Sequence, residues 1–215
     1  MNFQLLHPRD QLVAVMNRIY HSGMTTLSGG NLSILDDNGD IWITPAGVDK
    51  GNLTPQDIMC VDANCRITGP HRPSSEPPFH RAIYAARPDL RAIVHAHPPA
   101  LVSFSIARQV PETAVIPQLQ RICGRVGYAP YALTGSEQLG QVIAATFGEG
   151  YNSVMLENHG AVAAGETLLG AFERLETLEF GARTLIRANT LSQINILTAD
   201  QLALFDQPAP ALPEF

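Results

Sequence analysis

One apolar segment constrains the fold and the chemistry of this chain more than any other. Residues 91–97 are rich in Ala, Ile and Val and carry His95 and His97, a composition that predicts a β-strand. Side chains at positions i and i+2 of a strand leave the same face, with Cα atoms roughly 6–7 Å apart. Two imidazoles so placed can bind one metal ion. His159, followed by Gly160 after another β-rich run, would complete the three histidines of a catalytic zinc site with one open position.

The rest of the chain alternates between helical and extended patterns. Apolar spacing, prolines and capping residues predict helices over 8–23, 77–87, 136–147 and 166–189, with a short one after Thr198. Runs of β-forming residues separated by turn residues predict strands over 32–35, 41–44, 58–61, 66–68, 91–97 and 153–156. We therefore predict one layered α/β domain over residues 1–206 with a mainly antiparallel sheet, followed by a Pro-rich C-terminal tail over 207–215.

The composition is that of an ordinary globular chain and argues against several classes of protein. Its 215 residues are 45% hydrophobic, enough to bury a substantial core. The net charge of −6, with no compensating basic cluster, argues against nucleic-acid binding. The sequence lacks an apolar run of about 18 residues and a signal-peptide pattern, so we expect a cytoplasmic protein without membrane contact. The three cysteines lack a Cys-x-x-Cys pair, which favours reduced thiols.

The single lysine limits the covalent chemistry open to this chain. Lys50 is the only lysine, so any Schiff-base mechanism would depend on it. It stands between Asp49 and Gly51, which predicts a polar loop and not the apolar pocket that lowers a lysine pKa. We therefore expect no covalent catalysis by lysine.

Three segments have the composition of anion-binding loops. Glycine-rich loops occur at 25–31 and 44–47, where backbone N–H groups and hydroxyl side chains can surround a phosphate without a lysine. Segment 72–78 places Ser74, Ser75 and Glu76 at the start of a predicted helix, whose N-terminus favours an anion. Taken singly, each segment is better explained as an ordinary turn or helix cap. We expect His80, in the same helix, to be structural.

Five motifs in one order make the chain resemble a known family. They are Ser-Gly-Gly-Asn at 28–31, Thr-Pro-Ala-Gly at 44–47, Pro-Ser-Ser-Glu at 73–76, His-Ala-His at 95–97 and Asn-His-Gly at 158–160. Together they resemble the class II aldolase/adducin family, most closely its L-fuculose-1-phosphate aldolase branch, over roughly residues 8–190. The resemblance implies a three-layer αβα domain with a central antiparallel sheet. It also implies a homotetramer whose active sites lie between subunits.

The resemblance further implies a role for each motif residue. His95, His97 and His159 would hold Zn²⁺, and Glu76 would be the catalytic acid/base. The small phosphorylated sugar would be bound through a set of loop residues, namely Ser28, Gly30, Asn31, Thr44, Gly47, Ser74 and Ser75. The implied activity is zinc-dependent retro-aldol cleavage of a ketose phosphate, in which the metal stabilises an enediolate as a Lewis acid.

One departure from the family pattern leaves other activities open. Fuculose-phosphate aldolases carry a tyrosine that protonates the aldehyde oxygen, and the matching region 116–121 of this chain holds no tyrosine. The same zinc site serves epimerisation, dehydration or decarboxylation in other family members. A non-catalytic, adducin-like interaction module is a further alternative, which the three intact histidines make less favourable.

Overall fold

A computed structural model describes residues 3–72 and 77–206 and contains one mixed sheet with helices on both faces. The strands are β1 Asn31–Leu35, β2 Ile41–Ile43, β3 Met59–Val61, β4 Ile67–Thr68, β5 Ala92–Ala96, β6 Val126–Ala129, β7 Ser153–Leu156 and β8 Gly160–Gly165. The helices are α1 Pro8–His21, α2 Pro77–Ala86, α3 Pro99–Ile106, α4 Pro117–Cys123, α5 Glu137–Gly148, α6 Leu168–Leu191 and α7 Ala199–Ala203.

The sheet is antiparallel except at one edge. Its strand order is β4-β3-β2-β1-β5-β8-β7-β6, and only the β6–β7 pair is parallel. Short turns join β1 to β2 and β3 to β4, whereas β5 reaches the sheet centre after α2. The predicted hairpins and the mainly antiparallel sheet are therefore confirmed.

Two apolar cores, one on each face of the sheet, make the fold a three-layer domain. Helices α1, α3, α4 and α6 pack on the face to which Ala92, Val94 and Ala96 of β5 point. Helices α2 and α5 cover the opposite face, where Ile93 is buried. Because both faces of β5 are covered, every residue of the strand is buried, which explains its continuous apolar sequence. The predicted αβα layering is confirmed.

The predicted elements are present, and four others were not predicted. Strands β6 and β8 and helices α3 and α4 had no assignment from the sequence. The cap predictions hold: the Ser136 hydroxyl accepts from Leu139 N at the start of α5, and Thr198 forms a capping box with Gln201. The predicted tail over 207–215 lies outside the described residues. Within the described residues, no helix has the length and apolarity required to cross a membrane.

A charged capping interaction fixes the connection into β3. Asp57 accepts hydrogen bonds from the Thr54 hydroxyl at 2.6 Å, from the Thr54 backbone N–H at 2.8 Å and from His71 Nε2 at 2.8 Å. These bonds, with the Thr54 hydroxyl contributing most, lower the pKa of Asp57 to about 2. The loop before β3 therefore carries a carboxylate that favours folding while it is ionised.

Candidate metal centre and anion pocket

His95 is held in a fixed orientation at the centre of the sheet. It pairs with Asn31 of β1 on one side and with Val162 of β8 on the other. Its Nδ1 lies 3.0 Å from the carbonyl oxygen of Ala161. A carbonyl only accepts, so Nδ1 carries the proton and Nε2 presents a lone pair, as a metal ligand requires.

His97 and His159 converge on His95 from two loops. Strand β5 ends at Ala96, so His97 lies one residue beyond it, with its backbone N–H donating to Met24 O at 3.0 Å. His159 lies in the tight turn between β7 and β8, where Asn158 has a φ of 54°. The ring centroids are 4.8–5.1 Å apart, and one ligand nitrogen from each ring lies within 4.8 Å of the others. Three clustered imidazoles are a donor set that fits a catalytic Zn²⁺ site.

The His95 ring is neutral in this setting. Its complete burial, and secondarily the neighbouring His159, lower the pKa of His95 to about 3. The neutral imidazole is the form that coordinates a metal. At neutral pH, His95 can therefore coordinate a metal ion without first losing a proton.

Two glycines let backbone segments approach the histidines closely. A Cβ on Gly160 would lie 2.5 Å from the carbonyl oxygen of Ala96 and 2.8 Å from Cδ2 of His97. Gly30 has a φ of +69°, and its Cβ would lie 2.7 Å from the carbonyl oxygen of His95. Any larger residue at these positions would push a loop or a strand away from the three histidines.

A buried hydrogen-bond chain orients Asn31 beside the metal centre. His80 Nε2 bonds to Asn31 Oδ1, and His80 Nδ1 lies 2.6 Å from the Ser33 hydroxyl, which in turn lies 2.7 Å from the Tyr84 hydroxyl. Burial lowers the pKa of His80 well below its usual value, so the ring is neutral and only one of its two nitrogens carries a proton. The Asn31 Oδ1 atom can only accept, so His80 Nε2 carries the proton and donates to it. This bond fixes the orientation of the Asn31 amide, whose Nδ2 is its donor atom. His80 is thus structural, as expected, and acts on a pocket residue.

Two of the three histidines, His97 and His159, line one cavity together with the glycine-rich loops. It has a volume of about 220 Å³, small beside the roughly 300–1,000 Å³ of drug-sized ligand sites. Its lining residues are Ser28, Gly29, Gly30, Asn31, Pro45, Ala46, Gly47, Lys50, His97, Thr134 and His159. The structure therefore brings the two glycine-rich loops to the same cavity as histidines that lie roughly fifty or more residues later in the sequence.

The predicted anion-binding residues divide into three groups. Ser28, Gly30, Asn31 and Gly47 line the cavity. Thr44 is buried and does not line it, since its hydroxyl accepts from Leu32 N at 3.1 Å and joins the first two strands. The remaining predicted residues, namely Ser74, Ser75 and Glu76, lie outside the described residues. Thr134, from the loop after β6, also lines the cavity and had no signal in the sequence.

The prediction that Lys50 lies in a polar loop is wrong. The residue is 1% exposed, and its Nζ donates to the carbonyl oxygen of Pro45. Desolvation lowers the pKa of Lys50 to about 8. The polar neighbours misled the prediction because Asp49 caps the following helical turn through Gly51 N and leaves the lysine to fold inward between the two glycine-rich loops.

A larger cavity lies elsewhere on the domain. It has a volume of about 680 Å³, is lined by residues of α3, α6 and the segments that follow each of them, and shares no residue with the histidine cavity. Its lining is mostly apolar and contains a single carboxylate, Glu112, and no histidine or cysteine. The chemistry-bearing groups are therefore concentrated in the smaller cavity.

Comparison with known proteins finds named aldolases and decarboxylases among the relatives of this chain. A curated relative 31% identical over 91% of this chain and 93% of its own length is the 3-oxo-tetronate 4-phosphate decarboxylase of Escherichia coli K12. Another, 32% identical over 90% of this chain and 87% of its own, is the 5-methylthioribulose-1-phosphate/5-deoxyribulose-1-phosphate aldolase of Rhodospirillum rubrum. A solved L-fuculose 1-phosphate aldolase superposes with a TM-score of 0.81 at 29% identity, covering 92% of this chain and 93% of its own.

The family model confirms the resemblance seen in the five motifs. It describes the class II aldolase and adducin N-terminal domain and matches residues 10–186, which is most of the chain. The match includes all three histidines, both glycine-rich loops and Lys50. This chain therefore belongs to the class II aldolase/adducin family.

Proposed function

We propose that this protein is a metal-dependent carbon–carbon lyase acting on a small phosphorylated sugar or sugar acid. The observation that carries the proposal is one cavity that joins His97 and His159 to the loops of Ser28 and Gly47. A ligand nitrogen of His95 lies within 4.8 Å of those of the two other histidines. Metal ligands and phosphate-type loops in one small cavity suit a substrate that carries a carbonyl group at one end and a phosphate at the other.

The residues divide the work between metal binding, substrate binding and proton transfer. We assign His95, His97 and His159 as ligands of Zn²⁺, which when bound supplies a Lewis acid that polarises a carbonyl group. Glu76, directly before α2 in the sequence, is our candidate for the acid/base that moves the proton at the reacting carbon.

The phosphate end of the substrate is assigned to the loops. Ser28, Gly30, Asn31 and Gly47 line the cavity and offer backbone and side-chain donors. We propose that Ser74 and Ser75 also bind the phosphate, because they match the family motif. Thr44 would instead stabilise the second loop, since its hydroxyl accepts a hydrogen bond from Leu32 N.

Retro-aldol cleavage of a ketose phosphate is the first reaction we propose. The Rhodospirillum rubrum relative is an aldolase for 1-phosphorylated ribuloses, and the superposed solved structure is an L-fuculose 1-phosphate aldolase. The reaction leaves an electron pair on the carbon next to the carbonyl group, and a Lewis acid stabilises that charge. Its test is a panel of ketose 1-phosphates assayed with zinc-loaded protein, with the products identified by NMR. Absence of cleavage across the panel would reject this reaction.

Decarboxylation of a 3-oxo sugar-acid phosphate is the second candidate. One observation favours it: segment 116–121 holds no tyrosine. Aldol cleavage must also move the hydroxyl proton on the carbon that leaves, whereas loss of carbon dioxide from a 3-oxo acid needs no such group. The Escherichia coli relative is a decarboxylase of this type. Release of carbon dioxide from 3-oxo-tetronate 4-phosphate would select this reaction, and a product with an unbroken carbon skeleton would contradict both candidates.

We further propose a homotetramer with sites between subunits, as the family resemblance implies. A separate cavity of about 330 Å³ lies between α4 and α6 and is lined by Ile116, Gln118 and Leu119. These residues belong to segment 116–121, which matches the tyrosine-bearing region of the family in sequence. Light scattering coupled to gel filtration tests this directly. A mass of four chains supports the proposal, and a monomer at working concentration would contradict it.

A further inference from the structure

A buried cation in the cavity is the strongest feature that the proposed roles leave unused. Lys50 is 1% exposed, yet it lines the same cavity as Ser28, Gly47 and His159. Its Nζ has three N–H donors, and the Pro45 carbonyl oxygen accepts from one of them. The other donors of this positively charged group therefore remain at the wall of the small histidine cavity.

No carboxylate in the described part of the chain compensates the Lys50 charge. The ion pairs among residues 3–72 and 77–206 do not include it. The adjacent carboxylate of Asp49 is directed elsewhere, since it accepts from Gly51 N at 2.9 Å and from Asn52 Nδ2 at 2.6 Å. A charge removed from water without an opposite charge destabilises the protein. A buried ammonium group without a carboxylate partner would be stabilised by binding an anion.

Lys50 also lies where both glycine-rich loops meet. Its backbone N–H donates to Leu27 O at 2.8 Å, in the first loop, and its side chain donates to Pro45 O, in the second. Residues of both loops line the cavity together with Lys50. At neutral pH the ammonium form predominates, because the pKa of Lys50 is lowered only to about 8. The cation is therefore fixed between the two glycine-rich loops, whose backbone N–H groups can also favour an anion.

We propose that Lys50 binds the phosphate group of the substrate and supplies the fixed positive charge of that subsite. The inference rests on the proposed function, because it takes the substrate to be a phosphate monoester. The dianion supplies the counter-charge that the described protein lacks, so the cavity selects phosphorylated over neutral sugars. Lys50 is thus a specificity-determining residue, and the pocket is not free of lysine as the sequence suggested.

The first test measures inorganic phosphate binding to the zinc-loaded full-length protein by calorimetry at constant ionic strength. Lys50→Met keeps the apolar stem and removes the charge, and we expect affinity to fall on the order of tenfold or more. Arg187→Met, on the exposed face of α6, makes the same change in net charge and should bind phosphate normally. Unchanged phosphate affinity in Lys50→Met would overturn the proposal, including the case in which phosphate binds only to the metal.

The melting temperature separates anion binding from loop anchoring. If Lys50 serves the anion, Lys50→Met without phosphate should melt no lower than wild type, because an uncompensated buried charge has been removed. Phosphate should then raise the melting temperature of wild type and not that of the variant. A variant that melts lower but retains the full phosphate-induced rise would show a purely structural lysine and would overturn the proposal.

A second measurement needs no substitution. Lys50 is the only lysine, so protein grown with ¹³C-lysine gives one assignable side-chain resonance. That resonance should shift on phosphate addition and saturate with the calorimetric affinity, and a resonance that does not move would overturn the subsite. Phosphate binding that depends on Lys50, in a protein inactive on every phosphorylated sugar, would reject the proposed function alone. Activity on such a sugar with Lys50-independent phosphate binding would reject the subsite alone.

Discussion

Glu179 on α6 caps a helix that begins two residues after a proposed metal ligand. Its carboxylate accepts from Ala100 N at 3.3 Å and from Leu101 N at 3.0 Å, at the start of α3. The N-cap residue of α3 is Pro98, which offers no side-chain acceptor. Glu179 is 3% exposed, so these bonds are shielded from water. The position of α3, and with it the segment after His97, depends on a carboxylate from another helix.

Replacing Glu179 by Ala should therefore destabilise the protein substantially. Each buried N–H left without a partner costs about 1–3 kcal/mol, and partial access of water reduces the sum for two to about 2–4 kcal/mol. At about 2–4 °C per kcal/mol for a chain of this size, the melting temperature should fall by about 5–15 °C. The assay is thermal unfolding followed by circular dichroism, with zinc present in both samples.

A matched variant separates the cap from the ion pair. Arg183 Nε lies 2.6 Å from Glu179 Oε1, but the Arg183 side chain is 45% exposed. Arg183→Met should therefore cost less, about 0–1 kcal/mol, since the half-exposed guanidinium contributes little and Ala100 N and Leu101 N still donate to the carboxylate. Equal losses in the two variants would refute the capping argument, as would a Glu179→Ala protein that melts like wild type.

Three further changes test other parts of the account. Gly160→Ala should cost about 1–3 kcal/mol by overpacking against the Ala96 carbonyl and should weaken zinc binding; a zinc titration at unchanged affinity would contradict this. His80→Phe keeps a ring but removes the donor to Asn31, so phosphate affinity measured by calorimetry should fall, and full affinity would argue against the orienting role. Asp57 has a folded pKa of about 2, below its unfolded value, so it stabilises the fold above about pH 4 and loses that effect as pH falls towards 2. The free energies of unfolding of wild type and Asp57→Asn, obtained from urea titrations, should therefore differ at pH 6 by on the order of 1 kcal/mol and converge in acid. A difference that persists in acid would contradict this role of Asp57.

Elements with a clear local period could be predicted from the sequence. The apolar spacing of α6 and the alternating runs of β1 and β2 are local signals, and the structure has them within a few residues of the predicted bounds. The convergence of His95, His97 and His159 followed from motif order and strand geometry together. These features could be predicted because the local sequence preference and the tertiary packing favour the same structure.

Elements determined by tertiary packing could not be predicted in this way. Strand β8 is Gly160–Gly165, made of Gly, Ala and one Val, a composition with weak strand preference. It is a strand because it lies between β5 and β7 with every residue buried. The small residues of β8 let its backbone lie close to β5 and to His97. The local sequence pattern does not indicate this close packing.

The burial of Lys50 could not be predicted from its sequence neighbours either. Lys50 has polar neighbours in sequence, and its inward position depends on Pro45 and Leu27, contributed by two separate loops. Likewise, β5 ends at Ala96, so the strand periodicity that first paired His95 with His97 holds only for the first of them. The pair still converges because the Met24 carbonyl holds the backbone of His97 in place.

The central claim is that His95, His97 and His159 bind one divalent metal ion on which activity depends. The most direct measurement is the metal content per chain of gently purified wild type and of His97→Ala, determined by mass spectrometry on the same folded samples. Wild type should carry one ion per chain and the variant should carry essentially none, with a far-ultraviolet spectrum unchanged. Wild type without stoichiometric metal after exposure to zinc, or a variant that retains the ion, would contradict the account.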